Sequence, residues 1–290
     1  MKTATAQAAK DADQIPGAGL GIPRLLWLFF KEQIKRPFYA VYQRRLMAKA
    51  RSWTLPHHIG IIMDGNRRYA RRCGLLDVHE GHILGAEKLL EVLRWCYEFD
   101  ISVVTVWGFS LDNFNRETSE VKGLLELIET KFLELVHNED VHHYRVKVRY
   151  IGNRDRLSTD MQNAVRVAEE ATAHYDRFVL NIAVAYGGRE EITEAFRNYL
   201  LDQAEQGRAF EEVAKNLDTT AIKPYLYTAG LPEPDLIIRT SGETRLSGFL
   251  LWQSAYSEYY FCDTYWPVFR KIDFLRALRS YSQRHRTMGK

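Results

Sequence analysis

His58-Ile-Gly-Ile-Ile-Met-Asp64-Gly-Asn-Arg-Arg-Tyr69 decides how this chain is read. An apolar run of strand character stops at Asp-Gly-Asn, and two arginines follow at once. Such a run fits a strand buried on both faces of a parallel sheet. Gly65 permits a tight turn, and Asn66 is placed to cap a following helix. A carboxylate, free backbone N–H groups and a helix N-terminus are then gathered at the carboxyl end of a strand. Open α/β sheets bind ligands there, and a helix N-terminus accepts an anion such as a diphosphate. Asp64 and a diphosphate repel each other, so a divalent cation must stand between them, and oxygen-ligated Mg²⁺ suits that place. Asp-Gly turns are common, and alone this one reads equally well as a capped strand-to-helix junction.

Two further clusters favour the functional reading. Trp107-Gly-Phe-Ser110-Leu-Asp-Asn113-Phe114-Asn-Arg116 follows a strand rich in β-branched residues, with Glu120 opening the next helix. Ser110, Asn113 and Arg116 are a hydroxyl, an amide and a cation suited to phosphate oxygens. Asp235-Leu-Ile-Ile-Arg239-Thr-Ser-Gly-Glu243-Thr-Arg245-Leu-Ser247 delivers two arginines and a hydroxyl from another strand end. That set makes a fork for a second diphosphate. Glu243 is placed to orient an arginine, and Glu258 is a candidate second carboxylate for the metal. His82, near a helix start, can donate to a phosphate or carry a proton. The neighbouring residues Leu89, Leu93, Val104, Val106, Phe109, Leu124, Ile128 and Phe132 are apolar, which suits a hydrocarbon joined to the diphosphate.

The chain has 290 residues, 46% of them hydrophobic, enough for one large α/β domain and an extension. A net charge of +3 does not demand nucleic acid, and the arginines sit in loops without a basic helical stripe or stacking platform. Cys73, Cys96 and Cys262 are too widely spaced for a metal knuckle or disulfide framework, which points to the cytoplasm. No apolar run reaches the roughly twenty residues that a spanning helix needs.

Residues 1–21 read as a disordered polar tail. Residues 22–52 mix Trp27, Phe29, Phe30 and Phe38 with Lys31, Lys35, Arg44 and Arg45, which reads as a basic amphipathic helical extension. It is suited either to peripheral contact with an anionic membrane or to packing on the catalytic domain. Residues 53–290 form one domain. Strands are expected at 59–63, 102–107, 147–151, 178–185, 236–239 and 259–261, with helices at 86–99, 120–136, 160–174, 190–202 and 274–284. This alternation predicts a single α/β domain with a mostly parallel sheet of about six strands flanked by helices. The polar stretch 205–221 reads as a mobile helical excursion.

Taken together, these motifs resemble the cis-prenyltransferases, the undecaprenyl diphosphate synthase family. The resemblance spans about residues 55 to 287. It also rests on Gly81-His-x-x-Gly85, Asn181-Ile-Ala-x-x-Tyr-Gly-Gly-Arg189 and Phe249-Leu-Leu-Trp-Gln-Ser-Ala-Tyr-Ser-Glu258. The tail from Trp266 is most similar to actinobacterial members, a branch that includes short-chain, Z-farnesyl-making enzymes. The resemblance implies an apolar tunnel and head-to-tail joining of isopentenyl diphosphate to an allylic diphosphate with Mg²⁺. It gives Asp64 the metal–diphosphate role, shared with Glu258. Gly65, Asn66, Arg67 and Arg68 would hold the allylic diphosphate beside Tyr69, and Arg239, Arg245 and Ser247 the isopentenyl diphosphate. Asn66, His82, Ser110 and Asn113 would assist proton removal or diphosphate departure, while Phe114 and Arg116 would order a closing loop. A homodimer is also implied.

Three departures stand out. Many members carry an arginine where this chain has Val78, and Arg67, Arg71 and Arg72 are candidates to compensate. Tyr69 stands where tryptophan is usual. Gly108, two positions before Ser110, leaves room for a medium or long product, whereas Trp107 and the tail point to a short one. A non-catalytic subunit would be expected to lack Asp64, Arg239 and Arg245, which are all present; irregular coupling of two allylic diphosphates is a further alternative. Deleting residues 1–50 is expected to lower co-sedimentation with anionic liposomes. Unchanged sedimentation would favour packing of the extension on protein.

Overall fold

A computed structural model describes Tyr39 and residues 41–284. Two compact units are present, Met1–Ala48 and Lys49–Lys290. Within the first, residues 41–48 are helical. The 1–21 tail, and most of the extension expected at 22–52, lie outside the described residues.

The second unit begins with β1 (His58–Ile62), α1 (Asn66–Cys73), α2 (Val78–Glu98) and β2 (Val103–Trp107). A 3-10 turn at Leu111–Asn115 leads to α3 (Thr118–Leu135) and the short α4 (Glu139–His143). Then come β3 (Val146–Ile151), α5 (Thr159–Thr172), β4 (Phe178–Ala183) and α6 (Gly188–Glu205). α7 (Phe210–Asn216) and α8 (Thr219–Ile222) precede β5 (Leu236–Arg239), β6 (Glu258–Phe261) and α9 (Lys271–Gln283). The six strands form one sheet in the order β3-β4-β2-β1-β5-β6, and every pairing is parallel. β1 lies between β2 and β5, so the chain departs from it in one direction and later returns on the other side. That switch point is where an open parallel sheet leaves a crevice at its strands' carboxyl ends.

Every residue of β1 and β5 is buried, as their unbroken apolar runs require. One face of the sheet packs Ile59, Ile61, Val104 and Val106 with Val92, Leu93 and Phe132 of α2 and α3. The other packs Ile62 and Ile237 with Tyr186, Phe249 and Leu250. α2 starts eight residues before the expected 86, because Asp77 caps it by accepting from the His79 N–H at 2.9 Å. The 205–221 stretch is not a free excursion. It folds into α7 and α8 and buries Val213 and Ile222 beside Tyr199. Among the described residues no helix is long and apolar enough to cross a membrane.

The glycines at 81 and 85 lie inside α2, where glycine weakens a helix. Their reason is close approach. A Cβ on Gly81 would stand 2.5 Å from the Asn66 carbonyl oxygen, and one on Gly85 would stand 2.6 Å from Asn66 Oδ1. Both glycines let the start of α1 press against α2. Trp266 fastens the contact by donating from Nε1 to the Gly85 carbonyl at 2.7 Å.

A polar row runs from His58 at the amino end of β1 to the middle of β2 and β4. His58 Nδ1 pairs with the Pro232 carbonyl at 2.7 Å and Nε2 with Thr105 Oγ1 at 2.8 Å. Asn181 Nδ2 donates to the same hydroxyl at 2.9 Å. The carbonyl accepts only if Nδ1 carries the proton, so Nε2 accepts from Thr105 and the ring is neutral. Burial lowers the His58 pKa to about 4, against weaker opposing effects of Pro232 and Asp235.

Two outcomes follow from this packing. Since the unfolded chain titrates His58 near 6.5 and the folded one near 4, its contribution is complete above pH 6.5 and is lost as pH falls toward 4. The loss is on the order of 3 kcal/mol. Urea midpoints at pH 7.5 and 5 should therefore lie closer together in His58→Gln than in wild type, and equal gaps would refute this role. Gly81→Ala should destabilise the fold by about 1–3 kcal/mol, because a backbone carbonyl opposes the new methyl. Gly123→Ala, which meets only the His79 ring at 3.3 Å, should not; equal melting temperatures for the two variants would contradict this reading.

Candidate active site

At the carboxyl end of β1 the backbone reverses through Gly65, at φ +106°. A Cβ there would meet Tyr265 Cδ1 at 2.8 Å and Ser241 Cβ at 3.0 Å, so glycine is required by conformation and by space. The expected cap is corrected here. Gly65 itself takes the cap position, Asn66 is the first residue of α1, and no side chain caps that terminus. The first-turn N–H groups are thereby left for a ligand. The Asp64 carbonyl is held by Thr240 Oγ1 at 2.6 Å and by the Trp266 N–H at 3.1 Å. The turn is thus tied to two other segments.

The Asp64 carboxylate lies between two arginines. Arg239 Nη2 donates to Oδ2 at 2.9 Å and Arg68 Nη2 to Oδ1 at 3.1 Å. Burial pushes this carboxyl up, but the Arg239 hydrogen bond and the charges of Arg68 and Arg239 outweigh it and hold it below the usual carboxylate range. Arg68 also donates to Ser241 Oγ at 2.5 Å and to Glu243 at 2.9 Å. Arg239 is 5% exposed and donates to Ser247 Oγ at 2.9 Å and to the Arg245 carbonyl. A second knot surrounds Glu120. Its Oε1 accepts from Arg116 Nη1 at 2.9 Å, and Arg67 Nε stands 3.2 Å away at ion-pair distance without hydrogen-bond geometry. His82 Nε2 lies 3.8 Å from the same oxygen. Burial, then Arg116, lowers the His82 pKa to about 4 despite Glu120, so the ring is neutral at ordinary pH.

These groups surround a cavity of about 410 Å³. Arg67, Arg68, Arg71, Arg116 and Arg239 line it against only two carboxylates, Asp64 and Asp112. That excess of positive charge suits a polyanion. Asn66, His82, Ser110, Asn113 and Ser247 also reach it. Met63, Asn66, His82, Trp107, Gly108 and Leu124 are shared with a second, apolar cavity of about 110 Å³ between α2, α3 and the sheet. A Cβ on Gly108, one of the shared residues, would meet nothing nearer than 3.5 Å. Trp107 stacks on Phe249 at 5.3 Å between ring centroids.

Several expected site residues lie elsewhere. Glu258 is not brought to Asp64. It pairs in register with Leu236, which is level with Ile59 at the amino end of the sheet, and its carboxylate is tied to Arg284. The Arg245 guanidinium is outside the cavity, exposed and paired with Glu243. Phe114 packs edge-on against Phe109 at 4.9 Å, and neither it nor Tyr69 lines the cavity. Val78 opens α2 away from the lining. Conversely, Ser241 and Glu120 organise the arginines without having been chosen as site residues. A serine in a loop and a glutamate at a helix start carry no signal until the fold sets guanidinium groups against them.

The chain matches the family described as "Putative undecaprenyl diphosphate synthase" over residues 62–289. It is 49% identical over 257 residues to an isoprenyl transferase of Thermus thermophilus, covering 89% of this chain and 97% of the relative. It is also 49% identical over 252 residues to a geranylgeranyl-diphosphate-specific tritrans,polycis-undecaprenyl-diphosphate synthase of Methanocaldococcus jannaschii, covering 86% of this chain and 88% of that one. Among solved structures, lavandulyl diphosphate synthase from Lavandula x intermedia, in complex with dimethylallyl diphosphate, superposes with a TM-score of 0.75 at 35% identity, over 81% of this chain and 99% of that one. By sequence and by fold, this chain belongs to the undecaprenyl diphosphate synthase family and is a cis-prenyltransferase.

Proposed function

We propose that the enzyme joins isopentenyl diphosphate head-to-tail to an allylic diphosphate and releases a Z-polyprenyl diphosphate of medium or long chain. One observation carries this reading: the arginine-lined cavity and the apolar one share Met63, Asn66, His82, Trp107, Gly108 and Leu124 as common wall. A diphosphate ester with a hydrocarbon tail matches that pair, and the growing chain would extend between α2 and α3.

The α1 N-terminus with Arg67 and Arg68 lies on the side of the apolar cavity and would take the allylic diphosphate. Arg239 and Ser247 would take the diphosphate of the incoming five-carbon unit. Departure of the first diphosphate builds negative charge on its oxygens, and amides and guanidinium groups already aimed at it stabilise that charge. Neutral His82, Ser110 and Asn66 donate hydrogen bonds without adding net charge. The apolar walls exclude water from the allylic carbon as it becomes electron-poor.

Mg²⁺ fits this donor set in a particular way. Among the described residues no cluster of three or more His, Cys, Asp or Glu side chains surrounds a common point. Mg²⁺ commonly binds through one or two carboxylates together with substrate phosphates. Asp64, ionised and facing the cavity, would hold the ion, which supplies Lewis-acid neutralisation of the leaving group. Cytoplasmic homodimers with peripheral membrane contact complete the proposal.

Labelled isopentenyl diphosphate, Mg²⁺ and each of the dimethylallyl, geranyl, farnesyl and geranylgeranyl diphosphates should give elongated Z-products. In Asp64→Ala, turnover should fall about a thousandfold with the fold retained by circular dichroism. Failure of every primer would indicate a non-catalytic subunit, and a branched allyl–allyl product would indicate irregular coupling.

A further inference from the structure

Of the five arginines lining the main cavity, four are already engaged. Arg67 and Arg116 face Glu120, and Arg68 and Arg239 face Asp64. A diphosphate must share or displace those carboxylates to use these charges. Arg71 differs. It lines the same cavity, and among the described residues it has no ion pair or hydrogen bond from its side chain. It lies on α1, one turn beyond Arg67 and Arg68, about 7.5 Å along the helix axis from Asn66. At i+4 from Arg67 it shares the helix face that meets Glu120 beside His82, and His82 and Asn66 also border the apolar cavity. Arg239 and Ser247 approach from β5 and the loop after it.

We infer that Arg71 captures the diphosphate of the longer, allylic substrate and sets the enzyme's affinity for it. This rests on the substrate reading above. Its guanidinium offers a full charge and a bidentate fork without breaking an internal pair. Exposure at the cavity rim also makes it the cation that an incoming polyanion meets early, so it acts on encounter as well as on holding. The alternative is that Arg71 only complements the helix dipole in the last turn of α1. Arg72 supplies an internal control, because it occupies the same turn and does not line the cavity.

The test is calorimetric titration of the full chain, with Mg²⁺, using farnesyl thiodiphosphate and isopentenyl diphosphate as probes. In Arg71→Gln the farnesyl probe should bind about tenfold more weakly, with a shallower dependence on salt, and isopentenyl diphosphate should change by less than about twofold. Arg71→Lys should recover part of the loss. Arg72→Gln should leave both affinities within about twofold of wild type. Equal effects of Arg71→Gln and Arg72→Gln would overturn the inference, as would a loss confined to isopentenyl diphosphate. Tight farnesyl binding that survives in Arg71→Gln would defeat this inference alone. No binding of either probe to the wild-type chain would defeat the substrate reading and this inference together.

Discussion

The Asp64 carboxylate, clamped between Arg68 and Arg239, is the constraint on which the site depends. It joins the end of β1, the first turns of α1 and the end of β5 through side chains, at the edge where β1 and β5 also pair through their backbones. A carboxylate held this way stays ionised, and each guanidinium is fixed in the plane of its hydrogen bonds. The clamp also stores the positive charge that a substrate will need. Until a polyanion arrives, carboxylates, hydroxyls and carbonyls within the chain occupy the same donors.

The Glu120 knot repeats this arrangement on the opposite wall. One oxygen faces Arg67 from α1 and Arg116 from the loop before α3, with neutral His82 close by. The site therefore rests in a charge-compensated state rather than as a bare cluster of cations, which would repel one another and weaken the fold. The apolar cavity alongside needs no such compensation. It forms because α2 and α3 cover the sheet with leucines and phenylalanines while Gly108 adds no side chain at the junction.

Much of the fold was legible before any coordinates. Apolar runs at 59–62 and 236–238 fit strands buried on both faces, and alternation with helical periods then leaves a parallel sheet as the simple solution. The places of Asp64, Ser110 and Arg239 at the cavity were legible because each stands at or just past the end of a strand-like run. Glu258, expected beside Asp64 as a second metal carboxylate, stands apart from it within this chain for a related reason. It stands at a strand's beginning, and a parallel sheet sends beginnings and ends to opposite edges. The start of α2 was placed late, with Gly81 and Gly85 at the opening of the helix rather than inside it; their purpose, the close approach of Asn66, lies in another segment.

By itself the sequence determined the strand and helix order, the parallel class of the sheet and the placing of Asp64, Ser110 and Arg239 at strand ends. All of these follow from local periodicity and from which residue types tolerate burial. Only the tertiary structure decided which arginine meets which carboxylate. That choice left the Arg71 side chain without an ion pair among the described residues, turned the Arg245 side chain out to Glu243 and carried Glu258 to the far edge. Ion pairs form across segments distant in the chain, and their geometry is set by strand order and helix packing, which no local pattern encodes.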